Sequence, residues 1–141
     1  MNALVDAPDD GDVLSIGRRY RSARDRLDTL DARWIGMADD APGKWETAEA
    51  AQAVLQDSER LLLAVFHRRT ETVGDIAVLA SHAFTVLHRE VLEQEAPSAA
   101  ATSALRALAD ISATAAKLAG LGFDMIGPPG LGVRVRANLE G

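Results

Sequence analysis

The stretch Leu14-Ser15-Ile16-Gly17-Arg18-Arg19-Tyr20-Arg21-Ser22-Ala23-Arg24-Asp25-Arg26-Leu27-Asp28-Thr29-Leu30-Asp31-Ala32-Arg33-Trp34-Ile35-Gly36-Met37 decides the fold. Its apolar positions Ile16, Tyr20, Ala23, Leu27, Leu30, Trp34 and Met37 follow one another at intervals of 4, 3, 4, 3, 4 and 3 residues, the seam of a helix that packs lengthwise on others. At 1.5 Å per residue such a helix is about 35 Å long, so it needs partners of similar length lying nearly parallel or antiparallel to it.

Outward from this helix the chain is punctuated by prolines at 8, 42, 97, 128 and 129. Proline costs about 3 kcal/mol inside a helix, so the stretches 9–41, 43–96 and 98–127 mark where helices can run. The middle stretch divides at Thr70-Glu71-Thr72-Val73-Gly74-Asp75, where Thr72 and Asp75 stand three apart as in a capping box. Four helices are expected, near 14–37, 46–69, 73–94 and 99–119.

The second helix carries Ala51, Leu55, Leu62, Val65 and Phe66 on one side, widened by Val54 and Leu61. The third opens with Ile76-Ala77-Val78-Leu79-Ala80 and continues through Ala83, Phe84, Val86, Leu87, Val91 and Leu92, apolar nearly all round, so it is expected at the centre. The fourth shows Leu105, Leu108, Ile111, Ala115 and Leu118, is thin because it is rich in Ala, and ends at Gly120 and Gly122. Trp34 and Trp45 flank the turn between the first two helices, which reads as a structural clamp of buried aromatics.

The fold expected is all-α: an antiparallel helical bundle of three to four helices with a long N-terminal helical hairpin and disordered termini. Residues 1–13 read as an acidic disordered N-terminus, 14–120 as the bundle domain and 121–141 as a flexible Gly/Pro-rich tail.

Composition narrows the chemistry. A chain of 141 residues, 48% apolar, is long enough to bury one core without metals or disulfides. With no Cys, disulfide scaffolds, thiolate zinc sites, iron–sulfur clusters and thiol nucleophiles are excluded. The longest apolar run, Leu61 to Phe66, is far shorter than the roughly 20 residues of a membrane helix, and the N-terminus lacks a basic flank, so a cytoplasmic location is expected. The net charge of −6 opposes recruitment to phosphate backbones or anionic membranes.

The histidines His67, His82 and His88 form no i, i+4 pair, and no Glu-x-x-His occurs, which removes the di-iron bundle site. They read as surface or half-buried residues. Gly127 to Gly132 lacks the Gly-Lys-Ser/Thr ending of a phosphate loop, and Ser81 and His82 diverge by about 100° on a helix. No catalytic, metal or cofactor-binding residue is therefore expected, and the chain reads as not an enzyme.

One charge feature stands out: Arg18, Arg19, Arg21, Arg24 and Arg26 crowd the first helix. Arg21 with Asp25 and Arg24 with Asp28 are i, i+4 pairs, leaving Arg18, Arg19 and Arg26. His67-Arg68-Arg69 closes the second helix, where cations complement the dipole. An antiparallel hairpin brings both clusters to one end, so Arg18, Arg19, Arg26, Arg68 and Arg69 form a candidate patch for an anion or partner. Asp6, Asp9, Asp10 and Asp12 immediately precede it and are placed to fold back over the arginines.

The Arg-rich first helix, the hairpin with Trp near its turn, and Thr72-Val73-Gly74-Asp75-Ile76-Ala77-Val78-Leu79-Ala80 opening the third helix together resemble small uncharacterised all-helical bacterial proteins, some carried by mobile elements. The resemblance covers about residues 14–110 and implies a fold only, with no known activity. The expected function is a non-enzymatic protein–protein interaction or small regulatory helical module, acting on a protein partner or by self-association, without cofactor or membrane. The alternative is a nucleic-acid-associated regulator using the Arg patch, which steep salt dependence distinguishes from apolar helix docking.

Overall fold

Asp12 starts the first helix. Its carboxylate accepts the Ser15 backbone N–H at 2.8 Å, satisfying a donor that the first turn leaves open. From there α1 runs over Val13–Ile35, in a computed structural model that describes residues 11–121. Gly43, at φ +83°, turns the chain into α2, Lys44–Ala64. This left-handed conformation favours Gly because a Cβ there meets the following carbonyl oxygen.

α2 was expected to reach Arg69, but it tightens into a 3-10 turn over Val65–His67 and then leaves helix at Arg68, which is extended. The third helix, α3, spans Val73–Leu92 and begins with a full capping box. The Thr72 hydroxyl accepts the Asp75 N–H at 3.1 Å, while the Asp75 carboxylate accepts the Thr72 and Glu71 N–H groups at 3.1 and 2.9 Å. The fourth helix, α4, spans Ala99–Leu118, with the Ser98 hydroxyl accepting the Ala101 N–H.

The described residues are all-helical apart from turns, and α1 pairs with α2, and α3 with α4, as antiparallel hairpins. The two hairpins share a core at one end only. There Val13, Ile16 and Tyr20 of α1 meet Leu61 and Leu62 of α2, Val65 of the 3-10 turn, Ala77 and Val78 of α3, and Ala115 and Ala116 of α4. A second cluster, Phe84, Val91, Leu105 and Ala109, lies within the α3·α4 hairpin. Each large apolar side chain so buried stabilises the fold by about 1.5 to 3 kcal/mol. In the far half of the α1·α2 hairpin, Leu27 alone among the described apolar residues is buried.

The expected stripe of α4 needs correction. Leu105 and Ala115 are buried, but Ile111 and Leu118 face solvent, and the contact stripe is Leu105, Ala109, Ser112, Ala115 and Ala116. Small residues are needed because the helix backbones approach closely: the Ser112 hydroxyl donates across the interface to the Ala77 carbonyl at 2.9 Å. The thin helix expected from the Ala content is what the contact uses. The termini expected to be disordered fall outside the described residues apart from Gly11, Asp12, Val13 and Leu121, and of these Asp12 caps α1 and Val13 is buried in its first turn, so the helix starts earlier than expected.

The capping box gives a stability prediction. Thr72→Ala removes one acceptor and is expected to cost about 1 kcal/mol, whereas Asp75→Ala strips the acceptor from two N–H groups and is expected to cost about 2 kcal/mol. Urea denaturation of both variants against the parent chain measures the difference.

Candidate functional site

Of the five arginines of the expected patch, the helical hairpin brings three into one place. Arg18, Arg19 and Arg26 line a shallow groove of about 330 Å³ between α1 and α2, completed by Ser22, Ala23, Val54, Asp57 and Leu61. They meet because positions 18, 22 and 26, and 19, 23 and 26, recur every three or four residues on one helix face. Asp57, the carboxylate of this lining, is held by Arg60 at 2.8 Å. Neither Arg18 nor Arg26 has a carboxylate within ion-pair distance among the described residues. Asp12 stands at the entrance of α1, its carboxyl held below the usual range by the Ser15 N–H and hydroxyl, with Arg18 adding to the effect.

Arg68 and Arg69 do not line the groove. Because α2 ends at Ala64, they sit in the extended link to α3 and no longer compensate a helix dipole as expected. Arg68 is half-buried and its Nε has no partner among the described residues, while Arg69 is exposed. Arg21 pairs with Asp25 at 3.3 Å as its spacing implies. Arg24 instead lines a second groove.

That second groove, about 410 Å³, lies in the uncovered half of the hairpin between Arg24, Leu27, Asp31 and Trp34 of α1 and Ala48, Ala51, Gln52 and Leu55 of α2. Here the expected clamp of buried indoles is not what forms. Trp34 is 42% exposed and Trp45 73% exposed, with Ile35 beside them at 76%. The Lys44 ammonium sits 4.6 Å above the Trp34 ring and binds Asp39 at 2.9 Å, so the indole is covered by a cation on one face and not by the core. The two tryptophans flank the same turn, but no other helix reaches far enough to bury them.

The third feature is a histidine that was read as surface or half-buried. His82 is fully buried between the hairpins, its ring centroid 4.8 Å from that of Tyr20. Its Nδ1 lies 3.0 Å from the Leu62 carbonyl. A carbonyl only accepts, so Nδ1 carries the proton and Nε2 is a bare acceptor, which has no partner among the described residues. The hydroxyl of Ser81 is likewise buried and without a partner among the described residues. Burial drives the His82 pKa down to about 4, against a smaller upward pull from the Leu62 carbonyl. The helical phase carried the signal: His82 follows Val78 by four residues, on the face of the helix expected to be central. Beyond this junction Arg89 reaches across to Glu59 at 2.8 Å, a half-exposed pair worth at most about 1 kcal/mol. His67 is exposed, and His88 is half-buried with its ring stacked on Phe84.

Among the described residues, no group of three acidic or histidine side chains is arranged to hold a metal ion, and no helix is long and apolar enough to cross a membrane. Comparison with models of protein families, with curated proteins and with solved structures finds no match to this chain.

His82 makes stability depend on pH. Its folded pKa lies below the unfolded value of 6.5, so the unfolded chain binds more protons between pH 6.5 and about 4. The contribution is complete above pH 6.5, is lost as pH falls towards 4, and amounts to roughly 3 kcal/mol from a shift of this size. Chemical denaturation across this window is expected to show that slope in the parent chain and a shallower one in His82→Gln.

Proposed function

We propose that this protein is a non-enzymatic helical interaction module whose contact surface is the uncovered half of the α1·α2 hairpin, and that its occupant is a second copy of the chain. The observation that supports this reading is the abrupt end of the core along α1. The heptad seam continues through Leu30 and Trp34, but past Leu27 no second layer of helices covers it. A pair of helices with a bare apolar face is stable when another layer closes over it.

The groove suits its own copy. Arg24 and Asp31 stand seven residues apart on one face of α1, about 10 Å along the axis, with Leu27 between them. Under a two-fold axis crossing α1 near Leu27, the Arg24 of each chain meets the Asp31 of the other, and the self-complementary charge fixes an antiparallel register. Ala48 and Ala51 leave room for a helix to approach, while Trp34 and Leu55 supply apolar area. The result is a four-helix layer built from two hairpins.

Sedimentation velocity over a concentration series tests this reading. The parent chain is expected to pass from monomer to dimer, Arg24→Asp to remain monomeric, and the exchanged pair Arg24→Asp with Asp31→Arg to regain the dimer. A parent chain that stays monomeric throughout the micromolar range overturns the proposal.

A further inference from the structure

The two hairpins are joined through residues 68–72, where the chain leaves helix. Arg68 is extended, at φ −108° and ψ 148°, and α3 begins at Val73 behind its closed cap. Because the Asp75 carboxylate holds the Glu71 and Thr72 N–H groups, the start of α3 stays intact while residues 68–70 are free to turn. The surface across which the hairpins meet is short. On the α3 side it follows Val78, His82 and Arg89, positions four and seven apart and therefore on one helix face. Val78 packs in the core with Ile16, Tyr20, Leu61 and Leu62, His82 meets Tyr20 and the Leu62 carbonyl, and Arg89 meets Glu59. The α3·α4 hairpin also has packing of its own. Phe84, Val91, Leu105 and Ala109 form a buried cluster separate from the shared core.

We propose that His82 is an acid-sensitive latch: when its ring takes up a second proton, α3·α4 swings away from α1·α2 about residues 68–70 with its own buried cluster intact.

The closed molecule gives that proton no partner. Nδ1 already donates to the Leu62 carbonyl, so the added proton goes to Nε2, which is buried and has no partner among the described residues. Nor do the packed elements supply a compensating charge. α1 presents Tyr20, whose hydroxyl burial holds in its neutral form, α2 presents the Leu62 carbonyl, and the 3-10 turn presents Val65. α4 brings Ser112, Ala115 and Ala116, none of which ionises. Arg24, Glu59 and Arg89 act on Tyr20, but Glu59 is bound by Arg89, and burial remains the dominant influence on His82. A cation buried without a partner is costly, and the cost disappears once the ring reaches water. The His82 pKa is about 4 in the closed molecule and 6.5 in water, so closure is fully favoured above pH 6.5 and weakens as pH falls towards 4. Between pH 7 and pH 5 the ratio of open to closed molecules grows about twentyfold, in a range where carboxylates stay largely charged.

The chain has no cysteine, so one introduced thiol reports on one position. Val78→Cys places it in the shared core and Val91→Cys in the cluster within α3·α4. Each protein is reacted with dithiodipyridine at pH 7 and pH 5, at concentrations where the rate is linear in reagent, and the rate is divided by that of an unstructured thiol peptide at the same pH. The Val78→Cys rate is expected to rise about twentyfold on going to pH 5, and the Val91→Cys rate to stay within about twofold. The rise at position 78 is expected to vanish when His82→Gln is added, or His82→Leu where the glutamine variant does not fold. Equal rises at positions 78 and 91 overturn the proposal, because the chain then unfolds as a whole. So does a constant rate at position 78, or a rise there that persists without the histidine. Neither thiol lies in the groove of Arg24 and Asp31, so this proposal and the dimer fail on separate measurements.

Discussion

The architecture depends on how His82 is accommodated where the two hairpins meet. Its imidazole fills the space between Tyr20 and the last turn of α2, with Nδ1 bonded to the Leu62 carbonyl. This hydrogen bond satisfies a polar side chain that burial would otherwise penalise, and it ties α3 of one hairpin to the end of α2 of the other. The opposite nitrogen and the neighbouring Ser81 hydroxyl find no partner among the described residues. Among the described residues the junction is therefore held by apolar packing with directed bonds from His82 and Ser112 to backbone carbonyls.

Its placement explains the unevenness of the molecule. The cores from all four helices converge around Ile16, Leu62, Val78 and Ala116, and α3·α4 then carries its own cluster around Phe84 and Leu105. The far half of α1·α2 receives no such covering. Two surfaces result on one hairpin: a basic groove near the junction, and an apolar one with balanced charge near the turn. They differ in the forces that act there. Long-range charge governs the first and is weakened by salt, while burial of carbon surface governs the second and is not.

Much of this was legible in the chain. The four-and-three spacing through Ile16, Tyr20 and Leu27 identified α1, and Thr72 with Asp75 marked the start of α3 to the residue. The groove arginines 18, 19 and 26 were readable from helical periodicity. Other features were not. A heptad pattern states which face of α1 is apolar but not how far a covering layer extends, so Leu30 and Trp34 looked like core. In α4, Ile111 and Leu118 drew attention by their size, whereas the close contact required Ala109, Ser112 and Ala116. Arg68 and Arg69 were assigned to a helix end that the 3-10 turn moved upstream. His82 was judged by its polarity, although its neighbours on the helix placed it inside.

Gly74 draws the two ends of the fold together. A Cβ built there would lie 3.2 Å from Leu121 and 3.3 Å from Leu14, so the entry to the first helix and the exit from the last both lean on one missing methyl. Even alanine makes those leucine ends give by a few tenths of an ångström, and a larger side chain demands more. The alphabet tolerated at position 74 is thereby narrowed by residues sixty places upstream and forty-seven downstream, a keystone whose importance lies in what it lacks.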